Sequence, residues 1–138
     1  MKNNVVLIAG SILVILFLFW IIRSSSGGSG PAPLDTFATC LGTQGATFYG
    51  AFWCSHCANQ KAQFGKSAKL LPYVECSTAD GQSQLPACKS KGITSYPTWE
   101  FVTTADNGSA TTTRLTGEIA LTKLAEITSC PLPAGTPQ

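Results

Sequence analysis

Residues 46–57 read ATFYGAFWCSHC, and this stretch decides the fold. The aromatic-rich run 46–52 predicts a strand that continues directly into Trp53 and Cys54. A helix with Phe64 on its buried side is predicted from Cys54 to about Lys69. The C-x-x-C pair therefore lies where a strand passes into a helix, with the second cysteine one helical turn after the first.

This position gives the two cysteines different chemistry. At a helix N-terminus, the free N–H groups and the helix dipole favour an anion, so Cys54 is predicted to be a nucleophilic thiolate. Cys57 can then resolve a mixed disulfide by intramolecular attack. His56 supplies a donor and partial positive charge beside the thiolate, which stabilises the reduced form and makes the disulfide a stronger oxidant. We predict Cys54, Cys57 and His56 as catalytic residues.

A C-x-x-C pair can also be half of a zinc site. Zinc requires two further ligands at comparably close spacing, but Cys76 and Cys88 lie too far apart for a second knuckle. His56 is the only histidine, which removes a conventional two-histidine site. We predict no metal and no cofactor.

The N-terminal segment predicts a membrane anchor. Residues 5–22 are apolar apart from Gly10 and Ser11, and as a helix they would span roughly 27 Å, close to the thickness of a bilayer core. Lys2 precedes the segment, which slightly favours a cytoplasmic N-terminus. A cleaved signal peptide is the alternative. Both place the rest of the chain on the periplasmic, extracytoplasmic or lumenal side.

The composition of the whole 138-residue chain limits the classes of protein to which it can belong. Only 12% of its residues are charged, the net charge is +2 and no basic stripe is visible, so nucleic-acid binding is excluded. Six cysteines in so short a chain indicate an oxidising compartment. We predict an anchor over 1–23, a flexible linker over 24–33, one compact domain over 34–130 and a disordered tail over 131–138.

Within the domain, the pattern predicts the order α-β-α-β-α-β-β-α, an α/β fold, and Asp35 is predicted to be the N-cap of the first helix. The aromatic side chains predicted to lie in the core are Phe48, Phe52, Phe64, Trp99 and Phe101. Tyr96-Pro97-Thr98 precedes a predicted strand, and an aromatic–proline step has a raised chance of being cis; an ordinary trans strand start is the alternative. Trp53 and Tyr96 flank the cysteine motif and are predicted to shape an apolar substrate surface. The lysines of the 54–69 helix, Lys61 included, are predicted to form a solvated face.

These motifs together resemble the thioredoxin superfamily: W-C-x-x-C at a helix start, then GITSYPT before a hairpin and a final helix. The resemblance implies a thioredoxin-like fold in which Pro97 is cis and lies against the cysteines, while the Tyr96 backbone pairs with substrate. The similarity is greater still to the thioredoxin-like domain fused to, or partnering, bacterial and plant homologues of vitamin K epoxide reductase. That group usually has C-P-H-C, where this chain has Ser55.

The same resemblance bears on redox direction. The buried acidic residue of thioredoxin, six positions before the first active-site cysteine, corresponds to Phe48. Proton transfer to Cys57 must then use water or another group, which argues mildly for an oxidant.

The other four cysteines are predicted to be structural. Cys76 and Cys88 are spaced like a pair in the resembling subfamily, and Cys40 and Cys130 would join the first and last helices. Six cysteines allow about 15 pairings, so this is an assignment and not a deduction. There are two alternatives. One of these pairs could relay electrons to or from Cys54 and Cys57, or Cys40 could form an intermolecular disulfide.

The expected function is a membrane-anchored thiol–disulfide oxidoreductase that forms disulfides in exported thiol-containing substrate proteins. The resemblance implies a quinone-linked reductase homologue of the vitamin K epoxide reductase type as its redox partner. A thioredoxin-like reductant or isomerase, for example in cytochrome maturation, and a non-catalytic module stabilised by disulfides are the alternatives.

Overall fold

The computed structural model describes residues 33–136. The predicted anchor over 1–23 and almost all of the predicted linker lie outside the described residues. The elements follow in the order α1 (Asp35–Thr43), β1 (Ala46–Gly50), α2 (Ser55–Phe64), a 3-10 helix (Gly65–Leu70), β2 (Tyr73–Glu75), α3 (Pro86–Ser90), β3 (Thr98–Thr104), β4 (Ala110–Thr116) and α4 (Leu121–Thr128).

The four strands form one mixed sheet in the order β2-β1-β3-β4. β1 pairs in parallel with β2, which places Phe48 beside Tyr73, and antiparallel with β3, which places Phe48 beside Trp99. β3 and β4 form an antiparallel hairpin. This mixed sheet with flanking helices confirms the predicted α/β class.

The main core lies between the sheet and the longer helices. Phe48 and Trp99 are fully buried, and their rings stack with centroids 4.8 Å apart. Phe37 of α1 stacks on Phe64 of α2 at 5.9 Å. Because these helices cover the sheet, β1 is apolar on successive residues instead of alternating.

Glu100 of β3 is a buried carboxylate. Only 2% of the residue is exposed, and its Oε2 atom accepts hydrogen bonds from the Arg114 guanidinium of β4, with Nε at 2.7 Å. Oε1 lies 3.4 Å from both Lys91 Nζ and the Tyr49 hydroxyl. The buried charge is thus compensated by two cations from elements on either side.

Two disulfides close the domain. Cys40 of α1 is bonded to Cys130, which lies just beyond α4 and 90 residues further along the chain. Cys76, directly after β2, is bonded to Cys88 of α3. These are the two pairings assigned in the sequence analysis.

Three local predictions differ from the structure. The helix predicted to reach Lys69 leaves α geometry at Gly65, whose φ is +54°, and continues as the 3-10 helix. Phe52, predicted to be core, is 59% exposed because β1 ends at Gly50. Asp35, predicted as an N-cap, is the first helical residue, and Leu34 takes the cap position. Within residues 33–136, none of the helices has the length and apolarity needed to cross a bilayer.

Candidate active site at the start of helix α2

The Cys54 sulfur lies at the N-terminal end of α2. Cys54 is the N-cap, with extended backbone (φ −77°, ψ 114°), and its Sγ accepts a hydrogen bond from the Cys57 backbone N–H at 3.1 Å. Both cysteines are unpaired, unlike the other four. The Cys57 N–H is one of the backbone donors of the first helical turn that have no partner within the helix. The structure therefore places the predicted nucleophile as the sequence analysis expects.

Cys57 lies in the first turn of α2, three residues after Cys54, and only 1% of its surface is exposed. Burial is the largest cause that raises the pKa of the Cys57 thiol, and its hydrogen bond with Cys54 adds to the effect, bringing that pKa to about 12. Cys57 is consequently a neutral thiol at physiological pH whenever Cys54 and Cys57 are reduced. Any reaction that leaves it as a thiolate requires local stabilisation of the negative charge.

Gly50 at the end of β1 gives Cys57 its space. A Cβ atom built on Gly50 would lie 3.0 Å from Cys57 Sγ and 2.8 Å from Cε2 of the Tyr73 ring. The sulfur and the edge of the Tyr73 ring therefore both lie close to this glycine. A side chain at this position would require the ring, the sulfur or the strand to shift.

Tyr73 and Glu75 form a polar pair at the same edge of the sheet. The Tyr73 hydroxyl donates to Glu75 Oε2 at 2.7 Å, while Glu75 Oε1 accepts from the backbone N–H groups of Ser77 at 2.9 Å and Phe52 at 3.2 Å. Burial alone would raise the pKa of Glu75, but these hydrogen bonds outweigh it and lower that pKa. Burial and the carboxylate together raise the pKa of Tyr73, so its phenol remains neutral.

Lys61 is not simply part of a solvated helix face, as the sequence analysis expects. Its Nζ atom lies 3.3 Å from the centroid of the Tyr73 ring, a close cation–π contact, and the residue is half-buried. Lys66 and Lys69 are exposed, as predicted. The parallel pairing of β1 with β2 brings Tyr73 close to α2. No local sequence pattern predicts the contact between Lys61 and Tyr73.

His56 is bound to an acidic residue that the sequence analysis missed. Its Nδ1 atom lies 2.7 Å from Glu118 Oε1, which also accepts a hydrogen bond from Asn59 at 3.1 Å. The His56 side chain is 69% exposed. The ring is therefore oriented by the loop before α4, and the contact that the structure gives it is with Glu118 instead of with the cysteine sulfur. A separation of 62 residues hides this pair from local pattern analysis.

Pro97 and the loop before α4 lie together near the same end of the domain. The Tyr96–Pro97 peptide bond is cis, and the Pro97 carbonyl accepts a hydrogen bond from Gly117 N at 2.9 Å. Buried Gln60 of α2 binds the next part of the loop through both the N–H and the carbonyl of Ile119. The proline segment and helix α2 are thus joined through residues 117–119.

Trp53 and Tyr96 border a cleft of about 420 Å³. Trp53 is 56% exposed, its Nε1 atom donates to Ser77 Oγ at 2.8 Å, and its ring meets the Tyr96 ring edge-on with centroids 5.9 Å apart. The Tyr96 hydroxyl accepts from Gln84 at 2.7 Å. Two rigidly held aromatic side chains beside the motif offer an apolar surface to a substrate.

No candidate metal centre is found in the described part of the chain, because nowhere do three or more His, Cys, Asp or Glu side chains converge suitably. The chain has a cysteine motif after β1 and a cis-proline before β3, two features that the resemblance to thioredoxin-like domains implies.

The chain is similar to a curated plant protein, "Thiol-disulfide oxidoreductase LTO1" of Arabidopsis thaliana. The two are 42% identical over 107 residues, a region that covers 75% of this chain and 26% of the relative. The chain therefore spans about a quarter of that relative's length. Among solved structures it is similar to the thioredoxin of Fasciola hepatica, with 22% identity, a TM-score of 0.39 and coverage of 61% of this chain and 76% of that one. No protein-family model matches the chain.

Proposed function

We propose that this chain is a thiol–disulfide oxidoreductase that reacts through Cys54 and Cys57. The observation that carries the proposal is the Cys54 sulfur at the N-terminus of α2, bound by the Cys57 N–H at 3.1 Å, with both thiols unpaired. The name of the plant relative, "Thiol-disulfide oxidoreductase LTO1", supports the same chemistry. The substrates are thiol-containing proteins.

In the oxidising direction, a substrate thiolate attacks Cys54 of the Cys54–Cys57 disulfide. A new sulfur–sulfur bond forms between substrate and Cys54, the old bond breaks, and its electron pair leaves on Cys57, which takes a proton from solvent. The second substrate thiolate then attacks the substrate sulfur and releases Cys54. The substrate is oxidised by two electrons, and the domain is left as a dithiol.

The proposed direction is oxidation of exported proteins. The apolar Phe48, at the position where thioredoxin has an acid, supports it. Burial, which raises the pKa of the Cys57 thiol, favours instead the alternative of a reductant or isomerase, because a poorly stabilised leaving thiolate weakens an oxidant. A reduction potential of about −120 to −180 mV would support the oxidant, and one near −270 mV the reductant.

We further propose that residues 1–23 anchor the chain in a membrane with the domain on the extracytoplasmic side. The reoxidising partner would be a quinone-linked membrane protein of the vitamin K epoxide reductase type. Labelling of the single pair Cys54/Cys57 with a membrane-impermeant thiol reagent in intact cells tests the orientation. Protection of these thiols until the membrane is permeabilised would contradict it.

The Cys57→Ala variant tests the enzyme itself. An oxidoreductase should accumulate mixed disulfides with substrate proteins through Cys54, and the Cys54→Ser variant should lose both these adducts and the oxidation of a dithiol peptide while remaining folded. A non-catalytic module would form no adducts. Retained peptide oxidation by Cys54→Ser would refute the assignment of the nucleophile.

A further inference from the structure

We propose that Lys61 is a positioning residue that stabilises the Cys57 thiolate, in place of the buried acid that this domain lacks. The inference rests on the proposed function, because it concerns the breaking and formation of the Cys54–Cys57 bond. In this proposal, the ammonium group of Lys61 is directed from helix α2 towards the buried Cys57 sulfur.

The need for such a group follows from the surroundings of Cys57. The sulfur is 1% exposed, so water solvates a developing thiolate poorly. The position of the missing acid is filled by Phe48, whose ring is packed between Trp99 at 4.8 Å and Tyr73 at 5.3 Å. A fully apolar site would make the release of a thiolate from Cys54–Cys57 costly in both redox directions.

Helix geometry brings Lys61 to the correct side. Lys61 follows Cys57 by four residues within α2, and side chains at this spacing lie on the same face about 5–6 Å apart at Cβ. The Lys61 Nζ atom is over the Tyr73 ring, and the edge of that ring and Cys57 Sγ both lie close to Gly50. The ammonium group, the ring and the sulfur are therefore neighbours in one small volume.

The tyrosine is itself fixed, which keeps the lysine in place. Glu75 accepts the Tyr73 hydroxyl hydrogen at 2.7 Å and is anchored by two backbone N–H groups. The cation thus rests on a ring that cannot easily rotate, with a carboxylate at the far end of the same tyrosine. The Tyr73 ring and the Glu75 carboxylate both attract the Lys61 ammonium group, which favours its position over the ring instead of in solvent.

The titratable groups that interact electrostatically with Cys57 include Cys54 and Lys61 at α2 and Tyr73 on β2. His56, the neighbour of Cys57 in the chain, is paired with Glu118. Lys61 is a cation, and its charge acts to lower the pKa of Cys57 against the larger effect of burial. The tyrosine is a neutral phenol and cannot take this role.

In the reaction, Lys61 keeps its proton and makes no bond. When a substrate thiolate attacks Cys54, the electron pair of the breaking bond moves to Cys57, and the positive charge of Lys61 lowers the energy of that transition state. When Cys57 acts in the reverse direction, the same charge favours loss of its proton, which passes to solvent. One interaction therefore assists both opening and closing of the disulfide.

The test compares three variants of the full chain: Lys61→Gln, Lys61→Arg and the exposed control Lys66→Gln. Opening of the Cys54–Cys57 disulfide by dithiothreitol is followed by stopped-flow Trp fluorescence, and the alkylation of Cys57 in a Cys54→Ser background is measured against pH. We expect Lys61→Gln to open about tenfold more slowly and to require a higher pH for alkylation of Cys57. Lys66→Gln should match the wild type, and Lys61→Arg should restore most of the rate.

The outcomes separate the two proposals. Unchanged opening and an unchanged alkylation profile in folded Lys61→Gln would overturn the role of Lys61 while leaving the proposed function intact. Equal slowing in Lys66→Gln would also overturn it, since a general loss of charge would then explain the effect. If Lys61→Gln does not fold, Lys61→Met replaces it, because methionine keeps a long apolar stem beside the Tyr73 ring and removes the charge. An alkylation profile of Cys57 shifted to higher pH in Lys61→Met supports the role, and a wild-type profile contradicts it. Wild-type protein that does not react with dithiols through Cys54 would instead contradict the proposed function.

Discussion

Cys57 Sγ lies 3.0 Å from the position that a Cβ atom would take on Gly50. The end of β1 and the buried sulfur of α2 are thus in direct contact, and the contact exists only because residue 50 has no side chain. This relationship ties the redox pair to the central strand of the sheet. It also makes the reactivity of the pair sensitive to a single methyl group.

Although Gly50→Ala adds only one methyl group, it should therefore lower both the stability of the domain and the reactivity of the Cys54–Cys57 pair. The added Cβ would lie 2.8 Å from the Tyr73 ring and must displace the ring, the sulfur or the strand. We expect about 1–3 kcal/mol lower free energy of unfolding and slower opening of the Cys54–Cys57 disulfide. Denaturant unfolding and dithiothreitol kinetics measure the two effects.

The matched control is Gly42→Ala in α1, where a new Cβ would lie 3.4 Å from Pro72 Cβ. Alanine is the better helix former by roughly 0.5–1 kcal/mol, so this variant should be as stable as the wild type or more so. A wild-type unfolding curve and wild-type kinetics for Gly50→Ala would show that the tight contact does not exist in solution.

Trp53→Ala should weaken substrate binding selectively. The ring is 56% exposed beside Cys54 and is held by Ser77 and Tyr96, so it offers a rigid apolar contact before any bond changes. We expect KM for a protein or peptide dithiol to rise about tenfold with little change in kcat. Val102→Ala removes another exposed apolar side chain, on β3, and should leave both parameters unchanged. A fall in kcat alone would contradict a docking role.

The His56–Glu118 pair should be lost in acid. Hydrogen bonds from His56 and then from Asn59 hold the pKa of Glu118 below its usual range, so the carboxylate is present at neutral pH. The contribution of the pair is complete above the pKa of the unfolded carboxyl group and disappears as the pH falls through the lowered pKa. The NMR signal of the Asn59 side-chain amide should shift over this acid range in the wild type. It should not shift in Glu118→Gln, and an acid shift of equal size there would assign the titration to another group.

Glu100→Gln should destabilise the sheet in a pH-dependent way. Burial alone would raise the pKa of Glu100, but Arg114 and Lys91 outweigh it and hold that pKa below 4.5. A group with a lowered pKa stabilises the fold above its unfolded value and loses this effect as the pH falls. At pH 7 we expect the variant to lose about 2 kcal/mol of unfolding free energy. The gap from the wild type should close towards pH 3, and a gap independent of pH would contradict the ionic account.

Removal of the Cys40–Cys130 disulfide should cost more than removal of Cys76–Cys88. The first closes 90 residues and the second 12, and in the chain-entropy model the longer closure contributes about 4.5 kcal/mol against roughly 3. Denaturant unfolding of the Cys40→Ala/Cys130→Ala and Cys76→Ala/Cys88→Ala variants compares them. Both variants should retain the reactive Cys54/Cys57 pair. Loss of dithiol oxidation in a folded variant would favour electron relay through that disulfide.

The sequence predicts the architecture of the site where the signal is local. The change from an aromatic run to a helical pattern at Cys54 places the sulfur at a helix N-terminus, and this needs only the two neighbouring elements. Phe52 shows the limit, since β1 ends two residues earlier than its hydrophobic run, and the phenylalanine falls in the exposed turn. The apolar character of a run of residues does not by itself show at which residue strand pairing ends.

The contacts that tune the site could not be predicted in the same way. Tyr73 reaches Cys57 because β2 pairs in parallel with β1, and Glu118 reaches His56 across 62 residues. Such contacts depend on the register and crossing of elements that are distant in the chain. Lys61 is the clearest case, because the periodicity of α2 gives its face but not the tyrosine ring that covers that face.

The Cys40–Cys130 bond also determines how the domain would respond to a protease. The β3–β4 hairpin is exposed at its tip, between Thr104 and Ala110, and lies on the chain between the two bonded cysteines. A single cut there yields two polypeptides that remain covalently attached. The nicked protein would migrate as one species on a gel without reductant and as two fragments with it.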